Sequence, residues 1–263
     1  MTRIGRDVFK PYDSKKAPLA DWHTINRAWS ENPLPADRDR DLVKLFKEIG
    51  VGPSFSADSL DKLPEPIKKG LIRAAATARP MINQMLATGA YKSKIVNGWN
   101  YPPESFGSAG LAGDFVTRAA IQSLGGIIAN DPVEAVYMNT FVDVKGKTLQ
   151  GGKSYVINFD KDTVPPVKEF FSMTLYGLDS NFIANDIQRY AVGDKTKGLT
   201  KNADGSVTIY MQPNAPTDPA KKANWLPSPK AGAGNFYLIL RAYAPKQPLI
   251  DQAWIPPAVT PVN

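Results

Sequence analysis

The chain contains no cysteine and a single histidine, His23. Without cysteine there is no disulfide, no catalytic thiol and no iron–sulfur cluster. Zinc sites draw three or four ligands mainly from Cys and His, so a zinc enzyme is all but excluded. The lack of cysteine leaves the compartment open, because such a chain survives oxidising and reducing surroundings alike. No run approaches the roughly 18 apolar residues that would span a membrane. The stretch from Met1 to Lys16 is polar and charged and has no apolar core of a secretion signal. The expectation is a cytoplasmic protein as written, or a periplasmic or secreted one if the chain is a trimmed mature form. Clustered charge is missing too. Lys and Arg outnumber Asp and Glu by 32 to 25, a net charge of +7. The basic residues are scattered rather than gathered into a stripe, so no nucleic-acid partner is expected.

What is present is enough apolar sequence for a sizeable core: 43% of 263 residues. Three stretches follow one another. Residues 1–36, with Pro11, Pro18, Pro33 and Pro35, read as an irregular arm anchored by Trp22 and Trp29. Residues 37–130 read as a helical segment. Asp37 caps a helix to about Ile49, and its stripe is Leu42, Val43, Leu45, Phe46 and Ile49. A second helix opens at Leu63-Pro64-Glu65-Pro66, and Pro80 should end or kink it, leaving a further short helix to Gly89. A third spans Asp114 to Leu124. Residues 131–263 read as strand, turn, strand, with candidates at Ala135–Asp143, Ser154–Phe159, Lys168–Tyr176, Ser206–Met211 and Asn235–Tyr243. The class expected is α+β: an antiparallel, jelly-roll-like β-sandwich with the helical segment packed on it. The proline-rich tail Trp254-Ile255-Pro256-Pro257 should run along a sheet edge.

The motifs that suggest chemistry mostly fail on spacing. Five residues, not four, separate Gly146 from Gly152-Lys153-Ser154, and the run leads into a strand rather than a helix, so it is not a phosphate loop. Gly107-Ser108-Ala109-Gly110 is not a nucleophile elbow. Asp160 and Asp162 fall far short of the oxygen ligands calcium needs. No metal and no cofactor are expected.

Strand alternation says more. Phe171, Met173 and Leu175 share one face of their strand, and Ser172, Thr174 and Tyr176 the other. Val207, Ile209 and Met211 oppose Thr208 and Tyr210. Phe236, Leu238, Leu240 and Ala242 oppose Tyr237, Ile239, Arg241 and Tyr243. Three strands thus each pair an apolar face with one rich in hydroxyls and a guanidinium. The second faces are either ordinary wetted sheet surface or a ligand surface lined by Tyr176, Tyr210, Tyr237, Tyr243 and Arg241. Such a surface suits a carbohydrate, an aromatic molecule or a small organic anion. Were it catalytic, tyrosine would donate a proton and arginine would clamp an oxyanion, giving metal-independent hydrolase or lyase chemistry. The alternative is a structural or assembly role without catalysis.

The second half resembles the family called domain of unknown function 1214. The residues that carry the resemblance are Pro165-Pro166, Phe170-Phe171-Ser172-Met173-Thr174-Leu175-Tyr176, Arg189-Tyr190, Asp204-Gly205-Ser206, Asn224-Trp225-Leu226-Pro227, Leu240-Arg241-Ala242-Tyr243 and Trp254-Ile255-Pro256-Pro257. Asn97-Gly98-Trp99, Arg118-Ala119 and Ala135-Val136-Tyr137 are similar to the segment that joins this domain to its usual companion, domain of unknown function 1254. The resemblance implies a jelly-roll-like domain without an established activity. Two positions depart from the pattern: Phe171 stands where the family has Trp, and Gly177 where it has an acid. By the same resemblance the companion β-domain is absent from the sequence, which implies either a shortened relative or a homo-oligomer or partner β-domain covering the surface it would bury. By their place in the matching motifs, Tyr176, Arg189, Tyr190, Asn224, Trp225 and Arg241 are the ligand-binding candidates, joined by Tyr210 and Tyr243 from the alternation.

Overall fold

The computed structural model describes residue 13 and residues 16–32, 39–87, 94–125 and 129–262. Its elements run α1 (Ala20–Glu31), α2 (Arg40–Lys47), α3 (Ala57–Asp61), α4 (Glu65–Ala87), β1 (Ile95–Val96), β2 (Trp99–Asn100), α5 (Phe115–Gly125), β3 (Ala135–Thr140), β4 (Ser154–Phe159), β5 (Val167–Gly177), β6 (Ala191–Gly193), β7 (Val207–Gln212), α6 (Pro219–Ala223), β8 (Trp225–Pro227), β9 (Phe236–Pro245), α7 (Gln247–Ile250) and β10 (Thr260–Val262). The class is α+β. The chain forms two compact units, Met1–Gln84 and Met85–Asn263, divided within α4. None of its described helices is long and apolar enough to cross a membrane.

The first unit is helical, and α1 corrects the reading of residues 1–36 as irregular. Its prolines flank the helix rather than interrupt it: Pro18 stands before Ala20 and Pro33 after Glu31, so no backbone donor is lost inside. Asn26, 1% exposed, turns from α1 to the loop after α2. Its Nδ2 donates to the Gly50 carbonyl at 3.1 Å, and its Oδ1 accepts from the Gly52 N–H at 2.8 Å. Gly50 has φ 74°, a left-handed geometry that glycine supplies without strain. Leu19, Val51, Leu60 and Leu71 form the core, with Trp22, Trp29 and Phe46 against it. Helix α2 starts at Arg40, with Asp39 at its N-cap. The expected cap Asp37, the prolines Pro11, Pro33 and Pro35, and the expected helix end Gly89 lie outside the described residues. Helix α4 runs unbroken through Pro80, so the two helices expected there are one. Proline removes only the N–H that would bond Ala76, and Ala76 is exposed, leaving its carbonyl to water.

The second unit holds two sheets. One has six strands in the order β1-β2-β3-β9-β5-β6, the other four in the order β10-β4-β7-β8. All five strands read from the sequence are present: β4 has the expected ends, and the ends of the others fall within three residues of those expected. The hairpin β1–β2 turns on Asn97-Gly98, at φ 51° and 81°. That dipeptide is the commonest two-residue hairpin signal. Trp254-Ile255-Pro256-Pro257 forms no strand itself; the edge pairing comes three residues later, where β10 joins β4. One pairing departs from the all-antiparallel expectation. β8 runs parallel to β7, which the crossover through α6 makes possible.

Core placement follows the two-residue alternation. Phe171, Met173 and Leu175 of β5, Ile209 and Met211 of β7, and Phe236, Leu238 and Leu240 of β9 share one buried cluster with Tyr155, Ile157 and Phe159 of β4. Rings meet across the sheets, Tyr155 with Phe236 at 5.8 Å and Phe159 with Phe171 at 5.5 Å. The two sheets therefore bury one face each in common, and their other faces turn away from this core.

Tyr101, 1% exposed, ties the segment after β2 to the tail by donating its hydroxyl to the Trp254 carbonyl. Burial pushes this phenol from its ordinary 10 up to about 12. A raised folded-state value stabilises the fold fully below the unfolded value, and the contribution is lost as pH rises through the folded one. Stability should therefore fall from about pH 10 to 12 by on the order of 2 kcal/mol from this group. Urea midpoints measured at pH 9 and near pH 12 check it: Tyr101→Phe should start about 1 kcal/mol lower and lose less over that interval.

Candidate functional site

The outward face of the six-stranded sheet is set by register. Arg241 of central strand β9 sits opposite Tyr137 of β3 on one side and Ser172 of β5 on the other. Two same-face pairs further along the same strands, beyond the Ile239–Thr174 pair, Tyr237 faces Tyr176. All point away from the common core, as strand parity requires.

Arg241 is the electrostatic centre. It is partly buried. Its Nη1 donates to Thr174 Oγ1 and its Nη2 to the Tyr176 hydroxyl, each at 2.9 Å. Its guanidinium carbon lies 5.5 Å from the Tyr176 ring centre and 5.9 Å from that of Tyr137. Each such contact is worth about 0.5–2 kcal/mol, more as water is excluded. Among the described residues no carboxylate pairs with it. Tyr137 carries further polarity: its hydroxyl accepts from Asn130 Nδ2 at 2.7 Å. Burial first, then the neighbouring Tyr243, hold the Tyr137 phenol above its usual range, with Asn130 and Arg241 opposing. At neutral pH it is a protonated donor.

Around this centre lies a sheet of rings. Tyr190, Phe182, Tyr176, Tyr237 and Phe141 form a continuous row, with successive centroids 5.0, 5.0, 5.5 and 4.8 Å apart and planes within 25° of parallel. That spacing is close to the distance between neighbouring strands, so the row is a cross-strand ladder of stacked side chains. Tyr243 stacks on Phe170 at 4.5 Å and meets Tyr137 edge-on at 6.2 Å. Beside Phe182, an open depression of about 450 Å³ is lined by Gly177, Leu178, Asp179, Ile183 and Asn235.

The sequence candidates separate into three groups. Tyr176, Tyr190, Arg241 and Tyr243 meet on this face. Tyr210 does not: β7 belongs to the other sheet, and the ring of Tyr210 faces Lys221 at 5.7 Å. The single surface expected from alternation is thus two surfaces, because parity assigns a face within a strand but not the sheet the strand joins. The remaining three hold the backbone. Asn224, 3% exposed, accepts from the Thr200 N–H and hydroxyl and donates to the carbonyls of Thr200 and Thr208. Trp225 is buried and donates Nε1 to the Gln212 carbonyl. Arg189 Nη1 lies 3.0–3.2 Å from the carbonyls of Lys222, Ala223 and Trp225, where a cation suits the end of α6. Tyr137, Thr174, Phe182 and Phe141 were not among the site candidates. Alternation across β3 would have placed Tyr137; Phe182 sits in a loop, where no periodicity signals it.

Residues 134–247 match the family model described as protein of unknown function (DUF1214). This stretch belongs to that family. The DUF1214 region thus contains β3 to β9, including every aromatic of the row and Arg241. Of the segment assigned by resemblance to the junction with the companion domain, the match takes in Ala135-Val136-Tyr137 but not Asn97-Gly98-Trp99 or Arg118-Ala119. The crystal structure of the VPA0106 protein from Vibrio parahaemolyticus is similar over 98% of this chain and 59% of its own, at 24% identity and TM-score 0.62. A structure of an uncharacterized protein from Burkholderia cenocepacia aligns over 77% of this chain and 46% of its own, at 21% identity and TM-score 0.39. The chain spans about three-fifths of the Vibrio protein's length, and that likeness extends to fold alone. No curated protein matches the chain.

Proposed function

We propose that the outer face of the six-stranded sheet binds a small molecule around Arg241. The observation that carries this reading is a partly buried guanidinium, held between two tyrosine rings, with no carboxylate paired to it among the described residues. Removing a cation from water without a counter-charge costs free energy, and a ligand that supplies the charge recovers it. The reading takes the two sheets as layers of a jelly-roll-like sandwich, which their shared core supports. The chemistry the cluster offers is an oxyanion clamp at Arg241 and proton donation from tyrosine, needing no metal. The test is NMR shift mapping with a set of small fragments. Fragments should perturb the outward residues of β3, β5 and β9 and leave Tyr210 unmoved; perturbations confined to other surfaces would sink the reading.

A second reading, assembly through this region, is favoured by the exposed Leu178, Phe182 and Ile187 on the loop beside the row. Light scattering decides it: a stable oligomer dispersed by Phe182→Ser supports assembly, and a monomer at every concentration removes it.

A further inference from the structure

Resting on the ligand-face reading, we infer that the ligand class is a monocarboxylate on an apolar or aromatic body, not a carbohydrate. Three observations converge. Two of the five guanidinium N–H donors of Arg241 are taken, by Thr174 and Tyr176, and the others have no acceptor among the described residues. A planar fork with adjacent donors free is matched by a carboxylate. A single guanidinium balances one negative charge, which suits a carboxylate better than a phosphate dianion. The stacking of the row then argues against sugars. Sugar C–H groups pack on the negative face of an aromatic ring, yet in the row the faces of Phe182, Tyr176 and Tyr237 are already covered by one another. What such a row turns outward is ring edge, which is electropositive and apolar. Edges attract an electron-rich group and shelter a hydrocarbon or aryl body. Phe182 and Phe141, 56% and 41% exposed, place that apolar border two pairings from Arg241 along the strands.

The test is calorimetric titration of the full chain with 4-phenylbutanoate, its methyl ester, phenyl phosphate and cellobiose. The carboxylate should bind, and the uncharged ester at least about tenfold more weakly, the discrimination a charge-assisted hydrogen-bond pair supplies. Arg241→Gln should erase the difference between acid and ester. Phe182→Ser, at an exposed position, should weaken both alike, which keeps the test informative if the Arg241 variant folds poorly. Tyr210→Phe, on the other sheet, should change nothing. Tighter binding of cellobiose or phenyl phosphate, or equal binding of acid and ester, would overturn the carboxylate class while leaving the ligand face standing. If none of the four probes binds, the ligand-face reading falls and this inference with it.

Discussion

Asn224→Ala should lower the unfolding free energy by about 3 kcal/mol, seen as a lower urea midpoint with unchanged slope. The side chain satisfies four groups at once: it accepts from the Thr200 N–H and hydroxyl and donates to the carbonyls of Thr200 and Thr208. Truncation leaves three backbone groups without a partner in a region that Asn224, at 3% exposure, helps keep dry. Unsatisfied buried groups cost about 1–3 kcal/mol each, and the partial exposure of Thr200 and Thr208 holds the total to the lower end. Asn224→Asp discriminates this role from ligand binding. It keeps the acceptor for Thr200 but turns a carboxylate oxygen toward two carbonyls. It should therefore be no more stable than the alanine variant, although it is nearly isosteric. A loss below about 0.5 kcal/mol for alanine, the range of ordinary surface changes, would return Asn224 to the list of ligand-binding residues.

Gly193→Ala should be comparably damaging, at about 3 kcal/mol, through backbone rather than side-chain contacts. A Cβ at this position would stand 2.0 Å from the Phe171 carbonyl oxygen and 2.8 Å from Ser172 Cα. Neither atom belongs to a flexible side chain, so β5 and β6 must separate. β6 is a three-residue edge strand, and its Thr174–Ala191 to Ser172–Gly193 register is what it would lose. Hydrogen exchange should show the loss locally, at the amides of β5 that face β6. Gly70 in α4 is the contrasting case: nothing lies within 4 Å of its Cβ position. Gly70→Ala should leave stability unchanged or raise it by up to about 1 kcal/mol, since alanine is the better helix former. If the two substitutions cost the same, close packing at Gly193 is not what constrains that residue.

The placement of the ligand face rests on the same kind of contrast. Arg241 and Arg189 are both arginines in matching motifs, and the sequence offers no ground for separating them. In the fold, Arg189 closes on three carbonyls at the end of α6, whereas Arg241 meets a hydroxyl, a phenol and two aromatic rings. The first arrangement satisfies the cation with backbone. The second leaves donors over, and that is why the proposed chemistry follows Arg241 alone.

By itself the sequence determined the α+β class, the five long strands of the second unit, and the buried face of the three whose alternation was read, β5, β7 and β9, because a two-residue period is local and survives any arrangement of the strands. It also excluded thiol chemistry, which needs a cysteine the chain does not have. It misplaced what depends on partners far along the chain. Prolines in residues 1–36 hid α1, since composition counts them without seeing that they flank the helix. Parity grouped Tyr210 with Tyr176 and Arg241, but only strand order places β7 in the other sheet. The stacking of Tyr190, Phe182, Tyr176, Tyr237 and Phe141 joins residues drawn from β5, β9 and the chain between strands. Such a row exists only once neighbouring strands are held at hydrogen-bonding distance, and no pattern along the chain encodes which strands those are.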